Sequence, residues 1–158
     1  MPLDELLPLV KTELRANKLW REEYDDEDSE WFRRTIDLIR GQFSSVQDFS
    51  SAGRAYFSDD FDFEETAAKD LRQKPRLREL LNGLADKFDA LEPFNSETSE
   101  AALRGFADQT GVEDALLING ARTMLTGQSV GPSLFEIFEI LGHEASMQRL
   151  KSGIVWNL

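Results

Sequence analysis

Apolar residues recur along this chain at spacings of three and four, the pattern of amphipathic helices, and nowhere alternate in the manner of strands. Leu3, Leu6, Leu7, Val10 and Leu14 predict a first helix. The acidic run from Asp25 to Asp28 leads into Trp31, Phe32, Ile36 and Ile39, a second helix that Asp28 or Ser29 can cap. Gly41 should stop it near Arg40. Val46, Phe49, Ala52, Gly53 and Tyr56 predict a third helix, capped by Ser44 or Ser45. Residues 58–63 read as a turn-rich connection to a short helix, from Glu64 to Leu71. A longer one follows from Pro75, suited to the first helical position, to Leu91, with Leu77, Leu80, Leu81, Leu84 and Phe88 as its apolar stripe.

Pro93 and Asn95 interrupt this pattern and predict a boundary between two small helical subdomains, residues 1–92 and 93–158. Beyond it, Ala102, Leu103, Phe106 and Ala107 line a helix closed by Gly111, and Leu117, Ile118, Ala121, Met124 and Leu125 line one closed by Gly127. Pro132 opens a helix carrying Leu134, Phe135, Ile137, Phe138, Ile140 and Leu141, which is apolar almost all round and is expected to be buried. Gly142 closes it, and Met147 and Leu150 belong to a last short helix. The fold class is all-α, with two small helical subdomains forming a helix bundle.

Composition narrows the function. At 158 residues and 41% hydrophobic, with 11 Phe and 3 Trp, the chain can bury a substantial core. The absence of cysteine excludes disulfides, thiolate metal sites and a cysteine nucleophile. No apolar run reaches the roughly 18 residues that a bilayer demands, and the start of the chain lacks a signal-peptide pattern. A cytoplasmic protein without a membrane partner is expected. The net charge of −12, from 30 acidic and 18 basic side chains, argues against a broadly cationic nucleic-acid binder. Screening over about 8 Å at physiological salt still permits a local basic patch.

Catalytic constellations are missing. His143, the single histidine, has no nucleophile elbow near it and follows Gly142 at a helix junction, where packing or capping explains it. Asp60, Asp62 and Glu64 imitate the opening of a calcium loop, but Glu65 stands where glycine is needed and Leu71 where the bidentate glutamate should be. Neither a phosphate-binding glycine loop nor a HExxH motif occurs. A binding module with no catalytic residue, no metal site and no cofactor of its own is therefore expected. Cationic side chains gather at Arg33, Arg34, Arg40 and Arg54, and around Pro75 at Lys69, Arg72, Lys74, Arg76 and Arg78. Ion pairing with neighbouring acids accounts for such groups as readily as a ligand does.

One series of residues carries a resemblance. Ala121-Arg122-Thr123-Met124-Leu125-Thr126-Gly127, then Gly131-Pro132-Ser133-Leu134-Phe135-Glu136, Leu141-Gly142 and Arg149-Leu150 resemble the C-terminal block of bacterial glutamyl-tRNA synthetases. That family shows R-x-x-L-T-G, a G-P-x-L-F turn into an apolar helix, then L-G and R-L. The stretch from Leu38 through Arg40, Gly41, Gln42 and Phe43 to Phe49 is similar to the family's L-L-R-E-R-A-K-T-L-x-D-L, and Arg54-Ala55-Tyr56-Phe57 to its R-x-F-F. The resemblance runs from Leu3 to Leu150. It implies an all-helical anticodon-binding region of an aminoacyl-tRNA synthetase, a ligase of translation. Its partners would be tRNA-Glu and the catalytic domain of the same, monomeric enzyme. That catalytic domain, with HIGH- and KMSKS-type motifs absent from this sequence, would use the ATP and magnesium; Met1 would then be an expression start or the product of a split. An acidic helical protein-interaction module without RNA binding is the competing reading.

The resemblance also implies a site. Flipped-out anticodon bases offer edges to hydrogen bonds and faces to guanidinium planes. Gly127, Gln128 and Ser129 match the family's anticodon-contacting loop, Arg122 and Thr126 its flanking residues, and Arg40, Gln42 and Arg54 the second stretch. For Arg122 a buried ion pair tying the subdomains is the alternative, and for Gly127 and Gly131 plain turn geometry. Gln42 stands where discriminating members carry an arginine that accepts C and rejects G as the third anticodon base. A side-chain amide both donates and accepts, whereas a guanidinium only donates. A non-discriminating parent enzyme that charges tRNA-Gln as well as tRNA-Glu is expected.

Overall fold

The computed structural model describes residues 1–157 and contains, among them, eight α-helices, five short 3₁₀ turns and no strand. The chain separates into two compact units, Met1–Phe61 and a second beginning at Asp62.

In the first unit, α1 (Leu3–Ala16) buries Leu6, Val10 and Leu14, and α2 (Ser29–Ile39) buries Phe32, Thr35, Ile36 and Ile39. Most of each predicted stripe is thus buried, while Leu3, Leu7 and Trp31 are half-buried. A 3₁₀ turn, Arg40–Gln42, continues from α2. The helix expected over residues 46–56 is instead two 3₁₀ turns, Val46–Ser50 and Arg54–Tyr56. Asp48 both opens and closes the first of them. Its carboxylate accepts the N–H groups of Ser44 and Ser45, each at 3.1 Å, and its main-chain oxygen accepts those of Ser51 (3.3 Å) and Gly53 (2.9 Å). The carboxylate bonds cap the start of the first turn, and the main-chain bonds close it after one turn. Gly53 lies close under Phe43, whose ring would sit 3.0 Å from an added Cβ. An aromatic cluster fills the unit's other end: Trp20 meets Tyr24 and Phe32 edge-on, both at 5.3 Å, while Tyr24 stacks on Phe32 at 5.2 Å. Burial raises the Tyr24 phenol pKa above its ordinary 10.0, with Arg21 opposing and Asp28 and Glu23 assisting.

The second unit holds α3 (Glu65–Arg72), α4 (Pro75–Asp89), α5 (Ser96–Thr110), α6 (Asp114–Thr126), α7 (Leu134–Leu141) and α8 (His143–Leu150), followed by a 3₁₀ turn, Val155–Asn157. Helix α4 packs against α3, α5, α6 and α8 and buries the whole predicted stripe from Leu77 to Phe88. The chain therefore divides at Phe61/Asp62, and the break at Pro93 lies inside the second unit. Pro93 ends a helix without ending the core. Phe88 touches Phe94 at 5.6 Å and Phe138 at 5.0 Å, so the rings on either side of the proline share one cluster. Asn95 caps α5, accepting the Thr98 N–H at 3.0 Å. Helix α7 is buried at Leu134, Phe135, Ile137, Phe138 and Ile140, and it begins two residues after Pro132. His143 lies against Phe94, and its Nε2–H donates to the Phe88 carbonyl at 2.8 Å. Among the described residues no helix is long and apolar enough to cross a membrane. Leu158, the last residue of the expected second subdomain, lies outside the described residues.

Candidate functional site

In the second unit the loop from Gly127 to Ser133 joins α6 to α7. Helix α6 stops because Gly127 adopts a left-handed conformation, φ 76°, which L side chains disfavour. Its N–H donates to Thr123 O at 2.8 Å, and its carbonyl accepts the Glu64 N–H at 2.7 Å. Thr126 is 3% exposed and braces the same turn. Its hydroxyl donates to Arg122 O at 2.9 Å and accepts the Gln128 N–H at 3.2 Å. Deeper still, buried Arg149 donates from Nη1 to Leu125 O at 2.7 Å and so satisfies one of the terminal carbonyls of α6. The loop is thus tied at its root by hydrogen bonds while its tip faces outward, with Ser129 exposed and Val130 at 72% exposure.

Arg122 stands one turn before that root. Nη1 donates to Asn119 Oδ1 at 3.2 Å and Nη2 to Pro132 O at 3.3 Å. Both acceptors are neutral, and the guanidinium is half-buried, with Nε making no hydrogen bond among the described residues. Among the described residues Arg122 makes these two bonds in place of the ion pair considered for it. A held cation with an uncancelled charge is what an approaching anion requires. Gly131 lies beside it: an added Cβ would stand 3.7 Å from Arg122 Cδ.

Ser129 and Asn119 line a hollow of about 400 Å³ whose other polar residues include Thr66, Asp70 and Lys74. Lys74 is paired with Asp70 at 2.8 Å, and Arg72 reaches Val155 O at 3.5 Å, so this part of the basic group around Pro75 is engaged within the unit. Glu64, the residue before α3, was considered from the sequence only as part of an acidic turn imitating a calcium loop. It grips the loop twice, through its N–H to Gly127 and through Oε1, which accepts the Ser129 hydroxyl at 3.2 Å. No local signal could have found this contact, since the partners stand 65 positions apart.

The remaining predicted residues belong to the first unit. Arg40 pairs with Asp37 at 3.0 Å and donates from Nη1 to Met1 O at 3.1 Å. With Phe43, Ser44 and Ser45 it lines a hollow of about 540 Å³. Gln42 is exposed in the same 3₁₀ turn. Arg54 donates from Nε to the neutral Asp60 carbonyl at 2.7 Å. Arg33 is paired with Asp4 and Lys11 with Asp25, so the cations of α1 and the N-terminal half of α2 serve the fold.

A family model described as an anticodon binding domain matches residues 4–154. The glutamate–tRNA ligase of Desulfotalea psychrophila is 40% identical over 152 residues, spanning 96% of this chain and 31% of the relative. That of a Thermus thermophilus strain is 33% identical over 156 residues, spanning 98% and 31%. The chain thus spans about a third of the length of the curated relatives it matches. A crystal structure of a glutamate tRNA ligase from Elizabethkingia meningosepticum matches with a TM-score of 0.76 at 23% identity, covering 95% of this chain and 28% of the other. The glutamate-tRNA synthetase of Elizabethkingia anophelis matches with 0.69 at 21%, covering 100% and 29%. At such identities the structural matches show the fold alone.

Proposed function

Because the chain belongs to the anticodon binding domain family, we propose that it reads the anticodon loop of tRNA-Glu on behalf of a glutamate–tRNA ligase. The relatives that share its sequence carry that name. Catalysis, with its ATP and magnesium, would lie in a part of the protein outside these residues. The whole would act in the cytoplasm as a monomer, with tRNA as partner. The observation that carries the reading is Arg122, whose hydrogen bonds among the described residues go to neutral oxygens beside a loop with an exposed tip. In this assignment Arg122 meets a phosphate or a base edge, Gln128 and Ser129 meet bases, and Thr126 and Gly127 hold the turn. Arg40, Gln42 and Arg54 contribute from the first unit.

Binding of fluorescent anticodon hairpins, followed by anisotropy, tests the proposal. The tRNA-Glu hairpin should bind at least tenfold more tightly than one with an unrelated anticodon. Equal binding of both would defeat the anticodon reading, and binding of neither would return the chain to the alternative of an acidic interaction module without RNA binding. Exposed Gln42 extends the proposal to tRNA-Gln, since its amide can meet either third base. A preference for C over G at that base above tenfold, near 1.4 kcal/mol, would defeat this extension.

A further inference from the structure

We infer that Glu64 sets the hydrogen-bonding polarity of Ser129, making it an acceptor that selects a base bearing an exocyclic amino group. The inference rests on the anticodon-loop reading and deepens it. A serine hydroxyl has one proton and two lone pairs, whereas an ionised carboxylate only accepts. At 3.2 Å the Ser129 hydroxyl donates to Glu64 Oε1. What Ser129 can then offer a ligand is lone pairs. The same Oε1 accepts the Thr66 hydroxyl at 3.2 Å, so both hydroxyls converge on one oxygen. Glu64 is itself anchored, because its N–H donates to Gly127 O at 2.7 Å at the root of the loop.

Ser129 is exposed and lines the hollow of about 400 Å³, a volume within the range of small-ligand clefts. Cytosine presents an amino group at its 4-position, where uracil presents a carbonyl oxygen. Two acceptors facing each other leave both unpaired, and that mismatch is the source of selection. Glu64 is thus a positioning residue, acting on the ligand through Ser129.

The test compares the unaltered chain with Glu64→Ala, Glu64→Gln and Ser129→Ala. Each is titrated with tRNA-Glu anticodon hairpins carrying cytosine or uracil at each anticodon position in turn. The unaltered chain should prefer cytosine at one position by about tenfold. Glu64→Ala frees the Ser129 proton and should bring that ratio close to one. Glu64→Gln keeps a carbonyl oxygen able to accept both hydroxyls and should retain the preference. Ser129→Ala should lose the preference by weakening the cytosine complex alone, and its exposed position keeps it informative should Glu64→Ala unfold. Retention of the full ratio by Glu64→Ala or Ser129→Ala overturns the inference, as does loss of the ratio in Glu64→Gln. An unaltered chain that binds anticodon hairpins without any cytosine preference overturns the inference and leaves the anticodon reading intact. An unaltered chain that binds no hairpin overturns both.

Discussion

Thr126 and Tyr24 show two consequences of placing a hydroxyl-bearing side chain in a folded core. Thr126 has no ligand-facing surface, yet its hydroxyl serves two main-chain groups of the α6 turn. Replacing it with valine keeps the shape and removes the partner of the Gln128 N–H. The expected loss of stability is about 1–3 kcal/mol, read as a lowered urea midpoint with an unchanged slope. An unaltered midpoint would show that the hydroxyl is dispensable to the turn. For Tyr24 the sign follows from the direction of its shift. Burial raises the folded-state pKa above 10.0, so the folded chain holds the phenolic proton more tightly than the unfolded chain. The associated stability is fully present below pH 10 and is lost as pH rises through the folded pKa. Tyr24→Phe should abolish this alkaline decline in melting temperature. A decline that persists in the variant assigns it to other groups.

At the scale of elements, the α6–α7 connection is defined by a backbone requirement more than by side-chain chemistry. Gly127 at φ 76° closes α6 and turns the chain toward Val130. Gly127→Ala should cost about 1–2 kcal/mol, because an L side chain in the left-handed region crowds the adjoining carbonyl. The loss should appear in chemical denaturation of the whole chain, and a neutral result would show that the loop relaxes to another conformation. The first unit teaches a different lesson. The apolar spacing from Val46 to Tyr56 suits a helix, but the main chain forms two short 3₁₀ turns, the first capped at its start by the Asp48 carboxylate and closed by the Asp48 carbonyl. Periodicity records which positions are buried, and Phe49 and Tyr56 are indeed buried. It does not record whether the backbone between them stays helical.

For the whole molecule, charge is the quantity that constrains function. A net charge of −12 repels RNA at long range, so the recognition proposed above must rest on a few local cations. If Arg40, Arg54 and Arg122 each neutralise one phosphate of a single-stranded loop, log K should fall with log salt with a slope of about −2. Measurement of hairpin affinity between low and physiological salt checks this. A slope near zero would remove phosphate contacts from the mechanism. A slope steeper than about −4 would bring in the cations around Pro75.

The helical class, the stripes of α1, α2, α4 and α7, and the glycine stops at Gly111 and Gly127 were legible in the chain itself. Each is decided within a few residues, by side-chain spacing or by the steric cost of a Cβ. Arg122 and the 127–129 turn were legible too, through motifs local to one helix end. Three matters were decided only by tertiary structure. Where the compact units divide depends on which aromatic rings meet across Pro93. Whether Arg122 faces a carboxylate or neutral oxygens depends on what α6 and the following loop bring beside it. That Glu64 holds Ser129 depends on a contact between positions far apart in the chain. Hydrogen bonds and core contacts act over a few ångströms whatever the sequence separation, so no local pattern encodes them.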